Sequence, residues 1–375
     1  IILLINIYIL LPIMNKSNKN KKINKEEDCY FNYSFKSNPI KLEFFENLPI
    51  KINQCDCNNA LCLFKSLEDI LVLSYFQCMF RSCIFSYNII DKKIIHEIRS
   101  FDGEVNHLSH YLDKKNQRDL LLQIICGREY KIQNNIYIWN FSNLDCILFL
   151  KSIYNEGLIY SASLFQENNQ LYLLASNSDG KELSLPLKVF DITGNKVKEM
   201  KSFNRNIEYI DVYFDRKLKK NFIVLIDKTL SSFDYITLKL YKKYYDREFP
   251  PYGDTIIIKP EKNIVKIMDC DFNGKIKIFN FHTGDLLFNA RAGGYGFCCW
   301  NDNYILATET YNRFVLIDVS APKNKKYFKG HQNPVEKIIK FIHPNYGECL
   351  ITISKYETKL WIFKKETTSK KNNNF

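Results

Sequence analysis

Residues 330–363 read GHQNPVEKIIKFIHPNYGECLITISKYETKLWIF. Two short apolar runs stand out, CLITIS at 349–354 and KLWIF at 359–363, with a polar break between them. Runs this short, rich in β-branched and aromatic residues and bounded by turn formers, read as strands. The second run has relatives upstream. They are CIFSY at 83–87, IYIWN at 136–140, LKVFD at 187–191, LSSFD at 230–234, IKIFN at 276–280 and FVLID at 314–318. Each is an apolar segment closing on an aromatic or its aliphatic stand-in, mostly followed by a polar residue.

The markers are Phe85, Trp139, Phe190, Phe233, Phe279, Ile317 and Trp361, spaced 38 to 54 residues apart and 46 on average. A repeat of about 40–50 residues built from short strands is the period of a four-stranded propeller blade. The companions fit. A second strand lies upstream, as in YLLAS at 172–176, and a turn and final strand lie downstream, as in DITGNKVKEM at 191–200 and FHTGDLLFNA at 281–290. Gly194 and Gly284 provide the positive φ that a tight turn needs. Long amphipathic helices are absent from the pattern. The expectation is one all-β domain over residues 40–365, a seven-bladed β-propeller of four-stranded antiparallel blades. The last copy stops after its third strand, so IKLEFFENL at 40–48 is expected to complete that blade and close the ring. Closure covers two sheet edges that would otherwise template aggregation.

On these residues the chain resembles the WD40-repeat family. Gly330-His331, the strand ending Ile353-Ser354, and Trp361 match the family's pattern in the last copy. The resemblance implies a buried hydrogen-bond network through His331, Ser354 and Trp361. The family's turn Asp is missing, with Tyr356-Glu357 in its place, so an incomplete network is expected. Trp361 is followed by Ile362 rather than Asp, whereas Phe190-Asp191 and Ile317-Asp318 keep the acidic half of the pair and Trp139-Asn140 nearly does. A lipid-binding Phe-Arg-Arg-Gly motif is absent, Phe80-Arg81-Ser82-Cys83 being nearest, and so is a Trp-Asp-x-Arg adaptor box.

The chain has 375 residues, of which 46% are hydrophobic and 25% charged, with 13 Gly and 10 Pro. That excludes wholesale disorder and collagen-like or linker-rich chains. Lys and Arg number 53 against 41 Asp and Glu, a net charge of +12, and part of the excess sits at the two ends. Residues 1–39 read as a leader or disordered segment. Its apolar run at 1–13 is too short to span a bilayer, and Met14 is a candidate true start. Residues 366–375 read as a basic disordered tail. The 12 cysteines include Cys55-x-Cys57, too tight for a zinc knuckle, and the adjacent Cys298-Cys299. They read as reduced, mostly buried thiols of a cytoplasmic or nuclear protein, with no metal and no cofactor.

No catalytic constellation emerges, so the expectation is a non-enzyme. Gly293-Gly294-x-Gly296 lacks the strand–loop–helix context of a phosphate loop. His107 and His110 lie in a strand-rich region, where positions three apart point to opposite faces. In a propeller, the loops between blades and those between second and third strands share one face. That face is expected to carry Arg128, Tyr130 and Lys131; Arg205 and Asn206; Phe249, Pro250, Pro251 and Tyr252; Arg291 and Tyr295; and Tyr311 and Arg313. Tyr and Arg are enriched in binding hot spots. The first candidates for partner binding are therefore Arg128, Tyr130, Arg205, Tyr252, Arg291, Tyr295, Tyr311 and Arg313. The function expected is a protein- or peptide-binding scaffold in a multiprotein complex, with no small-molecule substrate. The alternative is binding of a polyanion, RNA or anionic membrane lipid, through the basic surface.

Overall fold

A computed structural model describes residues 41–50, 61–79, 81–99, 103–126, 134–154, 159, 161–176, 187–200, 207, 209–247, 256–260, 264–271, 274–294, 296–309 and 311–364. Their strands form seven four-stranded antiparallel sheets, which are the blades of a propeller. The strand β1 (Lys41–Leu48) comes before blade 1. Blade 1 is β2 (Leu61–Lys65), β3 (Leu71–Met79), β4 (Arg81–Asn88) and β5 (Lys93–Arg99). Blade 2 is β6 (Glu104–Asp113), β7 (Arg118–Cys126), β8 (Asn134–Asn140) and β9 (Cys146–Lys151). Blade 3 is β10 (Ala162–Glu167), β11 (Gln170–Ala175), β12 (Leu187–Asp191) and β13 (Lys196–Met200). Blade 4 is β14 (Tyr209–Asp215), β15 (Lys220–Ile226), β16 (Thr229–Asp234) and β17 (Leu240–Asp246). Blade 5 is β18 (Ile256–Pro260), β19 (Val265–Cys270), β20 (Lys275–Asn280) and β21 (Leu286–Arg291). Blade 6 is β22 (Phe297–Cys299), β23 (Tyr304–Thr308), β24 (Arg313–Asp318) and β25 (Lys325–Lys329). Blade 7 is β26 (Val335–His343), β27 (Gly347–Ser354) and β28 (Glu357–Lys364), completed by β1.

The expected closure is present. β1 runs antiparallel to β28, with Leu42 opposite Phe363, Phe44 opposite Trp361 and Leu48 opposite Thr358. Leu42 and Leu48 are buried on either side of it.

Each junction between neighbouring blades has its own apolar cluster, so the core is a set of wedges rather than one centre. Leu73 and Tyr87 meet Ile351 and Leu360 between blades 1 and 7. Phe76 and Ile84 meet Val105 and Leu108 between blades 1 and 2. Leu122 and Ile138 meet Leu164 and Leu173 between blades 2 and 3. The series continues with Val189 and Ile223 between blades 3 and 4, Val224 and Ile267 between blades 4 and 5, and Ile276 and Val315 between blades 5 and 6. Leu316 and Leu350 complete it between blades 6 and 7. Apart from Val105 and Leu108 on β6 and Leu164 on β10, these residues sit on β-branched or Leu-rich second and third strands that are buried on both sides, as sheets covered on both faces require.

The inner strands are also stitched to one another. The Ser161 hydroxyl donates to the Ile210 carbonyl at 3.1 Å and accepts the Ile210 N–H at 3.2 Å, while Ser163 Oγ accepts the Val212 N–H at 3.3 Å. Lys337 Nζ donates to the Leu61 carbonyl at 3.1 Å, joining blades 7 and 1.

The repeated marker has a structural meaning. In blades 2 to 6 it stands opposite a Leu or Ile of the second strand: Trp139 with Leu121, Phe190 with Leu173, Phe233 with Ile223, Phe279 with Ile267 and Ile317 with Ile305. In blades 1 to 6 the third strand ends on Asn or Asp, and its Oδ1 accepts the N–H two residues on. The bonds are Ile90 to Asn88, Ser142 to Asn140, Thr193 to Asp191, Ile236 to Asp234, His282 to Asn280 and Ser320 to Asp318, at 2.8–3.3 Å. These are Asx-turns, which start the connection into the fourth strand. Blade 7 takes its fourth strand from β1 and has no such turn, so Ile362 can follow Trp361.

This register corrects the reading of the first copy. Tyr87, opposite Leu73 and followed by Asn88, occupies the marker position, and Phe85 lies two residues earlier. In CIFSY the two aromatics share a face, because side chains alternate along a strand, and the sequence pattern alone does not choose between them. As apolar strand positions the marker aromatics Phe85, Trp139, Phe190, Phe233, Phe279 and Trp361 all read as core from the sequence. Tyr87, Phe190, Phe279, Ile317 and Trp361 are buried, but Phe85, Trp139 and Phe233 are only half-buried. Trp139 keeps a polar edge in play, its indole N–H donating to Gln123 Oε1 at 2.8 Å.

Candidate binding face

Each inner strand runs from one face of the ring to the other, and the strand order then fixes what each face carries. Turns from first to second and from third to fourth strand lie on one face, here the turn face. Connections from second to third strand and between blades lie on the opposite face, the loop face. The two differ in build. The turn face is made of tight turns, such as 114–117, 168–169 and 216–219, and of the Asx-capped turns. On the loop face strands are joined through short turns such as 227–228 and 355–356 and also across the longer stretches 127–133, 152–161, 176–186, 201–208 and 247–255, most of which lie outside the described residues.

Of the candidate partner-binding residues, Arg291, Tyr311 and Arg313 are described, and all three belong to the loop face, at the end of β21 and around the β23–β24 turn. Arg128, Tyr130, Arg205, Tyr252 and Tyr295 lie outside the described residues, as do Lys131, Asn206, Phe249, Pro250 and Pro251. Arg291 is exposed, and its carbonyl accepts Lys325 Nζ at 2.7 Å. The Arg313 guanidinium lies 4.5 Å from the Tyr327 ring centroid and 5.4 Å from that of Tyr311, and it is ion-paired with Glu309. Tyr311 is 66% exposed. Burial, and then the Glu309 carboxylate, push the Tyr327 phenol up, so it stays a neutral donor. The result is an Arg held between two tyrosines with its charge partly balanced, a cation–π arrangement that leaves aromatic area open to solvent. Glu309 and Tyr327 escaped the sequence reading. Glu309 shares the hairpin turn with Arg313, but Tyr327 reaches it from the fourth strand, which no local pattern shows.

Beneath this face, at the blade 6–7 connection, His331, Ser354 and Trp361 are brought together. The Trp361 indole N–H donates to Thr352 Oγ1 at 2.7 Å, and His331 Nε2 lies 2.6 Å from the same oxygen. His331 Nδ1 lies 3.1 Å from Ser354 Oγ and 3.2 Å from the Glu357 carboxylate. An indole only donates. The Thr352 hydroxyl is therefore free to donate to Nε2, which leaves the imidazole proton on Nδ1, facing Ser354 and Glu357. Burial, and next the Lys359 ammonium, hold the His331 pKa well below its usual value, which keeps the ring neutral as this chain of bonds needs. The missing turn Asp thus does not leave the histidine without an acidic partner. Glu357, one methylene longer, reaches it and also accepts the Gln332 N–H at 3.1 Å.

Thr352 was not among the residues singled out. Its spacing from Ser354 puts both side chains on one face of β27. Gly330 is required by contact, since a Cβ there would stand 2.6 Å from Trp361 Cη2.

The other motifs resolve into structure. Gly294 lies hard against Thr308, and a Cβ on Gly296 would come within 2.5 Å of the Glu336 carbonyl, so these glycines serve close backbone packing. His110 Nε2 bonds Asp119 Oδ1 at 2.8 Å with its ring stacked 3.9 Å from that of Phe64, and His107 Nε2 bonds Ser109 Oγ at 3.0 Å. Cys62, Cys83, Cys270, Cys298, Cys299 and Cys349 are in no disulfide and at least half-buried, while Cys146 is in no disulfide and exposed; Cys55 and Cys57 lie outside the described residues. A central cavity of ≈ 500 Å³ is lined by inner strands of blades 1 to 4 and 7, with His107, Ser163, Asp211 and Lys337 among its polar groups. No family model matches the chain, and no curated protein is significantly similar to it.

Proposed function

We propose that this propeller is a divergent WD40-repeat protein and a non-catalytic scaffold that binds a protein or peptide partner through its loop face. The observation that carries the reading is the contrast between the two faces. Tight, internally capped turns fix one, while the other has the longer strand-to-strand stretches and an exposed Tyr–Arg cluster, and binding residues concentrate on loops held by a rigid frame. The Gly330-His331, Thr352 and Trp361 network supports the WD40 affiliation. The non-catalytic reading rests on how the polar groups are used. Asp211 accepts the Ser163 hydroxyl at 2.7 Å and the Val212 N–H at 2.8 Å, and His331 is engaged on both ring nitrogens. We read the protein as cytoplasmic or nuclear, where its free thiols stay reduced.

The test is affinity capture from the native cell lysate, with nuclease and at two salt concentrations. The bait is wild type or the variant Arg291→Ala/Tyr311→Ala/Arg313→Ala. The expected result is a defined, nuclease-resistant set of proteins held by the wild type and lost by the variant. Capture unchanged in the variant, or abolished by nuclease, would overturn the reading.

A further inference from the structure

The first-to-second-strand turn of blade 4 reads Arg216-Lys217-Leu218-Lys219, and all four residues are exposed on the turn face. The third-to-fourth-strand turn of the same blade abuts it, with the Tyr235 N–H donating to the Asn221 carbonyl at 3.1 Å and Lys220 Nζ bonding Asp234 at 3.1 Å. That second turn carries Ile236, 65% exposed, and leads into Leu240, 55% exposed, while Leu218 on the first turn is 43% exposed. Three large aliphatic side chains therefore stand in solvent on two abutting turns and at the start of the strand that follows, and the first turn also carries three exposed cations.

The nearby carboxylates do not neutralise those cations. Asp215 is buried and turned inward, its Oδ1 accepting the Lys217 and Leu218 N–H groups at 2.8 Å each and its Oδ2 lying 3.2 Å from His282 Nε2. Asp234 is spent on its own turn, accepting the Ile236 N–H at 3.0 Å and the Thr237 N–H at 2.8 Å, and on Lys220. Among the described residues no carboxylate pairs with Arg216, Lys217 or Lys219. The other described first-to-second-strand turns lack this combination. Residues 67–69 are Leu-Glu-Asp, 114–117 are Lys-Lys-Asn-Gln, 168–169 are Asn-Asn, 301–303 are Asn-Asp-Asn and 344–346 are Pro-Asn-Tyr.

We infer that the blade 4 turns, with the exposed Leu218, Ile236 and Leu240 and the exposed Arg216, Lys217 and Lys219, dock the turn face on an anionic lipid bilayer. Aliphatic side chains among basic residues suit an interface with acyl chains below and anionic headgroups around. Charge complementarity names an anionic occupant. The exposure of the aliphatics at the turns, rather than in a groove, favours a bilayer over a peptide or RNA. Because the patch lies opposite the loop face, a membrane-bound propeller keeps its proposed partner face open to the solvent.

The experiment is flotation of the full chain with phosphatidylcholine vesicles, with and without phosphatidylserine, at low and physiological salt. Wild type is expected to float only with the anionic vesicles. Arg216→Gln/Lys217→Gln/Lys219→Gln should lose binding by more than tenfold, at about fivefold per charge near an anionic surface. Leu218→Ser/Ile236→Ser/Leu240→Ser should bind at low salt but be released at physiological salt, since apolar insertion is what survives screening. Lys114→Gln/Lys115→Gln on blade 2 serves as the control and should bind like wild type. All these positions are exposed, and matching circular dichroism melts establish that the variants fold. No flotation of wild type, or equal flotation of both blade 4 variants, would overturn the inference. So would binding of single-stranded RNA or an acidic peptide that outcompetes the vesicles and persists in the aliphatic variant.

Discussion

Thr352→Val removes one hydroxyl from the middle of the blade 7 network and keeps the side-chain shape. Thr352 is fully buried, and it receives the Trp361 N–H at 2.7 Å and faces His331 Nε2 at 2.6 Å. Both partners are themselves buried. The change strands one donor and one acceptor, each worth about 1–3 kcal/mol when a buried polar group loses its partner. The expected loss is about 2–5 kcal/mol. Ser354→Ala should cost only about 1 kcal/mol, because Glu357 remains within reach of Nδ1. Thr352→Ser keeps the hydroxyl and should lose only about 1 kcal/mol for the missing methyl. The assay is urea unfolding followed by circular dichroism. At a slope of about 3 kcal/mol per molar, the Thr352→Val midpoint should fall by about 1 M. In a Trp361→Phe background the indole donor is gone, so Thr352→Val should cost less there, and the double-mutant cycle measures the difference. A Thr352→Val midpoint within experimental error of wild type would refute the network. A larger loss in Ser354→Ala than in Thr352→Val would refute the placement of the threonine at its centre.

Acid should destabilise the protein in two stages. Burial is the chief cause holding His96, His110, His331 and His343 below the ordinary imidazole pKa, so below about 6.5 the unfolded chain binds more protons and stability falls as pH drops. The Thr193 hydroxyl and neighbouring amides hold the Asp191 carboxyl low, and that contribution, present above about 3.9, is lost on further acidification. Urea midpoints that rise between pH 7 and 5 would contradict the burial of these imidazoles. Deleting residues 1–48 leaves β28 as a bare edge, so the truncated chain should aggregate on size exclusion, and a monomeric species with a cooperative melt would disprove closure by β1. Gln117, exposed with φ 48°, sits in a backbone region that favours glycine, so Gln117→Gly should raise stability by about 0.5–1 kcal/mol in the same urea assay, and a lowered midpoint would count against the turn geometry.

The architecture was legible because a propeller repeats itself. Each blade writes an apolar third strand ending in a bulky residue, and that signal survives wide variation in the rest of the blade. The closing strand at 40–48 could be placed because the last copy ended one strand short. What the pattern missed was register. Phe85 and Tyr87 lie on one face of the same strand, and only the Asx-turn begun at Asn88 shows that Tyr87 holds the repeated position. The network was half legible. Gly330, His331 and Trp361 stand out in sequence, whereas Thr352 and Glu357 act through distances that only folding sets. The binding face was the least legible part. Arg313 and Tyr327 meet across β24 and β25, and a one-dimensional pattern does not say which exposed aromatics converge.

The one well-formed Gly-His…Trp set stands in the blade where the chain has most to hold together. Six blades are built from consecutive hairpins, and each fourth strand follows its third through a short Asx-capped turn. Blade 7 instead pairs Leu48 with Thr358, so its sheet closes a loop of about 310 residues, at an entropic cost of about 5 kcal/mol from (3/2)RT ln n. No turn helps to align β1 on β28. The alignment comes from what lies behind β28. Trp361 is fixed at Gly330 by contact and at Thr352 by its indole bond, and it presents its ring to Phe44 of β1 at 5.8 Å. Lys359, also on β28, donates to the Gly330 carbonyl and lies over the same Phe44 ring. The network therefore holds rigid the surface on which the closing strand must land, and a blade joined by its own turns has less need of it.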